Sequence, residues 1–224
     1  MKLVYADYQL KVDLCENQVA VITIENPAVY SNVLQELWKQ THGETGKFIL
    51  SDQGMIKPIA KWMECVMNPF AVDCNEKKII NRLYQELKEQ ADGVMFEDSM
   101  MLNREIVCYL EKLIFRVPYA LEYDLDLNVA ALLKCYDVRI VKDNESLLEK
   151  IVEYMKVSHQ ICNVQIFVFV ALKQYLSETE IRQLYEFVLY EKIYLIIVDA
   201  HQEKRIPGEM HWIIDKDLCI IELR

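Results

Sequence analysis

A chain of 224 residues that is 53% hydrophobic, with only five Gly and five Pro and no low-complexity tract, can bury one good core or two modest ones, which excludes extended disorder and fibrous repeats. Its 25 Lys and Arg against 35 Asp and Glu leave a net charge of -10, which argues against a surface coated by nucleic acid. A local basic face is still allowed, because net charge averages over faces.

In chain order, residues from Lys2 to about Met63 hold short β-rich runs, Val19 to Ile24 and Lys47 to Leu50, around a candidate helix from Ala28 to Gln40. This begins an α/β unit. From Pro69 to about Leu121 the period turns helical. Asn75 is placed to cap a helix carrying Ile79, Ile80, Leu83, Tyr84 and Leu87 on one face, and Asp92-Gly93 ends it. A second long helix from about Asp98 carries Met101, Ile106, Val107, Leu110, Leu113 and Ile114, with Pro118 as its stop. Such a hairpin is too thin for a full core of its own, so it needs cover from another element or another subunit.

After Leu121 to Asn128 the α/β alternation resumes. Asn128 opens a short helix through Lys134, Val138 to Val141 reads as a strand, and Asn144 caps a helix to about His159. Val164 to Val170 and Tyr194 to Val198 are nearly all apolar, as strands covered on both faces must be, and they flank a helix from Ser177 to Tyr190. That spacing fits parallel pairing with a right-handed crossover. Cys219 to Leu223 supplies a last strand. The expected fold is α/β, a mostly parallel sheet in a head domain of residues 1–63 and 137–224, with an inserted α-helical leg at 64–136.

No run approaches the ~18 apolar residues of a membrane span, and Met1 to Asp7 has no apolar core of a signal peptide, so no membrane partner is expected. The cysteines form no C-x-x-C pair and mostly lie in apolar runs, as small buried residues of a reducing, cytoplasmic compartment do. His42, His159, His201 and His211 could each join a Cys in a nucleophilic pair, but no spacing selects one.

Open parallel sheets bind ligands beyond the carboxyl ends of their strands. The one candidate phosphate loop is His42-Gly43-Glu44-Thr45-Gly46-Lys47-Phe48. It fails, because two residues instead of four separate the glycines, Phe48 stands where a hydroxyl should hold magnesium, and Lys47 enters a strand. His201, Gln202, Lys204 and Arg205 follow the strongest strand and form a weak candidate anion loop.

In Leu121-Glu122-Tyr123-Asp124-Leu125-Asp126-Leu127-Asn128, carboxylates alternate with apolar residues. An extended chain would place Glu122, Asp124 and Asp126 on one side, as oxygen ligands for a hard cation such as calcium. An edge strand with an acidic wet face explains the same spacing, since no Gly-containing calcium loop frames it. A metal-dependent nuclease could also use these carboxylates, with Lys134 or Arg139 nearby. Lys78 and Arg82, four apart on the first long helix, could meet phosphates together, although Glu76, Glu86 and Glu89 make that face resemble an ordinary wet one.

Across most of its length the chain resembles the smaller CRISPR-associated adaptation proteins of type II-A systems. The resemblance rests on Asn68-Pro69-Phe70-Ala71-Val72-Asp73-Cys74-Asn75, on Leu121-Glu122-Tyr123-Asp124 followed by Leu132-Leu133-Lys134 and the segment around Val138, and on Ser177-Glu178-Thr179-Glu180, Tyr194 to Val198 and Asp215 to Leu223 in order and spacing. It implies a head related in shape to nucleotide-hydrolysing domains but without a functional phosphate loop, and a helical leg. It implies a non-enzymatic homotetrameric ring that binds calcium and threads linear double-stranded DNA through a basic hole during spacer acquisition, alongside an integrase pair and an effector nuclease. Glu122 and Asp124 match the family's acidic calcium stretch directly, and Asp126 does so across a one-residue gap. Lys134, Arg139, Lys78 and Arg82 are the expected DNA contacts, and calcium would order the hinge between leg and head. The alternatives are a metal-dependent nuclease and a protein-only helical scaffold.

Overall fold

In the computed structural model, which describes residues 1–143 and 145–223, the chain forms two units, Met1–Cys74 with Asp143–Arg224, and Asn75–Lys142. In chain order the elements are strands β1 (Lys2–Tyr5), β2 (Leu10–Asp13) and β3 (Val19–Ile24), helix α1 (Pro27–Thr41), strands β4 (Phe48–Asp52) and β5 (Met55–Lys57), helix α2 (Ile59–Trp62) and strand β6 (Met63–Val66). Helices α3 (Lys77–Asp92), α4 (Phe96–Ile114) and α5 (Val129–Cys135) follow. Helix α6 (Leu147–Cys162), strand β7 (Ile166–Val170), helix α7 (Glu178–Tyr190) and strands β8 (Tyr194–Asp199), β9 (Glu209–Ile214) and β10 (Ile220–Leu223) complete the chain.

The first unit is α/β. Its main sheet has the order β10-β9-β3-β8-β7-β6, parallel throughout except for the antiparallel edge pair β10 and β9. Strand β3 is buried at all six positions, which is why Val19 to Ile24 shows no polar alternation. Ala20, Ile22 and Ile24, with Ile196, Val198, Trp212 and Ile214, share a core with Val29, Val33 and Leu37 of α1. A smaller antiparallel sheet, β2-β1-β4-β5, adds Leu3, Tyr5, Leu10, Val12, Phe48 and Leu50 to that core. Each fully buried side chain of this size contributes roughly 1.5–3 kcal/mol. Residues at the alternate positions face the other side of the sheet, where Tyr154 of α6 meets Phe167 edge-on and Tyr185 of α7 reaches Glu209.

Helix starts follow their caps. Asn26 accepts the N–H groups of Ala28 and Val29, with Pro27 in the first turn, and Ser177 with Glu180 closes a capping box on α7. The cap of α6 is Ser146 with Glu149; the expected cap Asn144 lies outside the described residues. Pairing of Met63 in β6 with Ile166 in β7 puts residues 64–74 with the sheet, not in the helical leg that the sequence led us to expect there. Among the described residues no helix is long and apolar enough to cross a membrane.

In the second unit, Asn75 is not the N-cap residue of α3. Its side chain accepts the N–H of Ile140 and donates to the Ile140 carbonyl, both at 2.9 Å, while α3 starts after Glu76 without a side-chain cap. Tyr84 donates its hydroxyl to the Val138 carbonyl at 2.9 Å. These side chains bond the Val138 carbonyl and both backbone groups of Ile140, Val138 to Val141 is not the expected strand, and residues 137–142 go with the helical unit.

Candidate functional site

Every residue that the sequence offers as a cation ligand or DNA contact lies in the helical unit. Ser99 donates to the Ala91 carbonyl across the α3–α4 turn, and Asn128 caps α5 by accepting the Ala131 N–H. The acidic stretch runs beside α4, held where Asn103 donates to the Leu125 carbonyl at 2.8 Å and Tyr123 donates to Glu111 at 3.2 Å.

That stretch is not a strand. The helical unit offers no strand to pair with among the described residues, and Leu121, Tyr123 and Leu125 are exposed instead of packing as one apolar side. Glu122, Asp124 and Asp126 are exposed as well. Asp124 is turned back on the chain and accepts the Asp126 N–H at 3.1 Å. Among the described residues no group of three or more His, Cys, Asp or Glu side chains is arranged to hold a metal ion. The three carboxylates are thus neighbours along one exposed segment, not a gathered ligand set.

The basic candidates differ in their surroundings. Arg139 forms a bidentate pair with Asp137, its Nε donating at 2.6 Å and its Nη2 also engaged, and this guanidinium holds the Asp137 carboxyl below the usual carboxylate range. Arg82 donates to Gln85 at 2.9 Å. Lys78 is exposed in the first turns of α3, and Lys134 is exposed in the last turn of α5.

In the sheet unit, the glycine-containing loop serves the fold. Gly43 adopts φ of 91° at the end of α1, Lys47 pairs with Asp7, and the chain passes directly into β4 with no helix to present N–H groups to a phosphate. The loop after β8 is likewise occupied internally: Gln202 donates to Glu25, Lys204 pairs with Glu178 at 2.7 Å, and Arg205 reaches the Leu223 carbonyl. Burial pushes the Cys65 thiol up to about 12, far from a nucleophile's range.

Periodicity gave no sign of a buried polar centre under α7. Glu209 accepts from Lys173 at 2.7 Å, His211 at 2.8 Å, Tyr185 at 2.5 Å and the Ile206 N–H at 2.9 Å. Asp199, the last residue of β8, is buried beside it. The signal in the sequence was the pair Glu209 and His211, two apart in an otherwise apolar run, where a strand puts both on one face.

The family model for CRISPR-associated protein (Cas_Csn2) matches residues 40–218. A curated CRISPR-associated protein Csn2 of Streptococcus agalactiae is 24% identical over 92% of this chain and 91% of its own. One of the same name from Enterococcus faecalis is 18% identical over 89% of each. A solved ATP-binding cassette, a post-hydrolysis dimer bound to ADP and phosphate, is similar over 96% of this chain and 90% of its own at 12% identity and a TM-score of 0.42, a likeness too distant to bear on function.

Proposed function

Because the chain belongs to the Csn2 family of CRISPR-associated proteins, we propose that it acts without catalysis in spacer acquisition, as a homotetrameric ring that holds linear double-stranded DNA and uses calcium structurally. The observation that carries this reading is the surface of α4. None of its 19 residues is buried, and Met100, Met101, Tyr109 and Leu113, with Phe115 just beyond, are exposed apolar side chains. A helix with so much apolar surface in water calls for a covering surface. A second copy supplies it by symmetry.

Calcium fits the donor chemistry of Glu122 and Asp124, which offer hard carboxylate oxygens on one exposed segment. Asp124 spends one oxygen on the Asp126 N–H, so the ion would complete its shell from main-chain carbonyls, water or a neighbouring subunit, with Asp126 the weakest candidate. When bound, it would neutralise the repulsion within the stretch and order the segment joining α4 to α5. Lys134, Lys78, Arg82 and Arg139 would face DNA phosphates, contacts that carry no sequence information. The integrase pair and the effector nuclease of the same system are the proposed protein partners, in the cytoplasm.

One experiment separates the readings. Linear and covalently closed duplex are incubated with the protein in calcium, in magnesium or with chelator, and both mobility and cleavage are scored. A shift of linear DNA in calcium, without cleavage and without tight binding of circles, is expected. Cleavage in magnesium would instead mark a nuclease, and no shift at low salt would leave a protein-only scaffold.

A further inference from the structure

Two buried carboxylates of the sheet unit have opposite hydrogen-bonding states. Glu209, the first residue of β9, is saturated by Lys173, His211, Tyr185 and the Ile206 N–H. Asp199, the last residue of β8, is 1% exposed, and neither of its oxygens has a hydrogen-bond partner among the described residues. Strand register puts Asp199 opposite Thr23 and His211 opposite Val21, so all four side chains project from one face of the sheet.

Residues 200–208 cross from the end of β8 to the start of β9, and the same groups tether this crossing. Lys173 donates to the Lys204 carbonyl at 3.3 Å while its charge rests on Glu209, and Glu209 in turn holds the Ile206 N–H. Within electrostatic reach of Asp199 are Tyr30 from α1, Lys173 from the turn after β7, Tyr185 from α7, Glu203 from the crossing, and Glu209 and His211 from β9. The nearby ammonium is thus already committed to the other carboxylate.

We propose that Asp199 is a proton-controlled catch on the 200–208 crossing. With its proton in place the neutral carboxyl stays buried and Lys173 stays on Glu209 and Lys204. When the proton leaves, the buried anion has no donor, so it draws Lys173 away or admits water, and the crossing loosens. Burial, opposed by Lys173 and reinforced by Glu203 and Glu209, pushes Asp199 up to about 6, which places the change in mildly acidic solution. The catch is closed in acid and open above the transition.

The test is amide exchange across pH 5 to 7.5 on the full chain, with intrinsic rates divided out, together with a carboxyl-carbon NMR titration of Asp199. Protection of the buried Ile206 amide, which Glu209 accepts, should fall by ~10- to 100-fold as Asp199 ionises, while the β3 amides hold steady. Asp199→Asn should flatten that dependence. An Asp199 midpoint near ~4, the value of an unburied carboxyl, or protection that does not change through its titration in the unaltered protein, would overturn the proposal without relying on the variant.

Discussion

The side chain of Gln40 pairs with both backbone groups of Phe48, accepting its N–H at 2.8 Å and donating to its carbonyl at 3.0 Å, and so joins the end of α1 to the start of β4. Gly46 makes room for this amide: a Cβ there would stand 2.5 Å from Gln40 Cγ and Cδ. Gly46→Ala must therefore dislodge Gln40 and strand two buried groups. The change should destabilise by about 1–3 kcal/mol, measured by urea unfolding, although Gly→Ala in a loop free of clashes stabilises slightly. An unchanged midpoint would mean that Gln40 is not the constraint on this loop.

Burial raises the pKa of Glu209, but hydrogen bonds from His211, the Ile206 N–H, Lys173 and Tyr185 outweigh it and hold the carboxyl at about 2. A folded pKa below the unfolded value gives stability that is present above the unfolded pKa and lost as pH falls through the folded one. From a starting value of 4.5 the linkage is worth roughly 3 kcal/mol at neutral pH, fading between about pH 5 and 2. Glu209→Gln should remove that acid limb and also leave Lys173 buried without its anion, a loss of about 3–5 kcal/mol in all. Unfolding free energy measured against pH for both proteins checks the sign and the window.

How far the sequence could be read depended on which groups satisfied the backbone. The runs at Val19 and Tyr194 were legible because strands buried on both faces tolerate no polar residue, and Ser177 was legible because a capping box is local. Strand β9 was hidden by Glu209 and His211, polar residues whose burial makes sense only with Lys173 and Tyr185 brought in from distant parts of the chain. Val138 to Val141 read as a strand by composition, but its partners are the side chains of Asn75 and Tyr84, more than fifty residues away. The alternation of Glu122, Asp124 and Asp126 was real as spacing, yet alternation fixes a common face only when a sheet holds the segment flat.

Met101 is 61% exposed and Tyr109 62%, and both line the same open groove on α4. If copies of this chain associate through that surface, Met101→Glu with Tyr109→Glu buries two charges at the contact and should shift sedimentation toward the single chain at micromolar concentration. Because neither side chain is buried in its own unit, far-UV circular dichroism should not change. Unaltered sedimentation by the double variant would place the association elsewhere.

If calcium binds only the folded assembly, as proposed, it stabilises that assembly by mass action, by about 3 kcal/mol at a hundredfold excess over the dissociation constant. Calcium should raise the melting temperature, Glu122→Ala with Asp124→Ala should abolish that rise, and Asp126→Ala should weaken it less. Magnesium, which needs near-ideal octahedral geometry, should substitute poorly. Calcium stabilisation that persists in the double variant would rule out the acidic stretch as the site.

Phosphate binding should be ranked by the charge each side chain has to spare. Arg139 is already neutralised by a bidentate Asp137, so on the proposed DNA it would have to exchange one anion for another, for a small net gain. Lys134 sits exposed in the last turn of α5, with no such fork among the described residues. Lys134→Ala should therefore lower the affinity for linear duplex regardless of sequence and reduce the slope of log affinity against log salt by about one for each phosphate it no longer neutralises. Arg139→Ala should change the slope less, because Asp137 already neutralises that guanidinium and little counterion is released when it meets a phosphate. Lys78→Ala with Arg82→Ala should act like Lys134→Ala if α3 faces the DNA, and should leave the slope unchanged if it does not. Titrations by fluorescence anisotropy at four salt concentrations would separate these outcomes, and an Arg139→Ala effect exceeding that of Lys134→Ala would show that the Asp137 pair opens on binding.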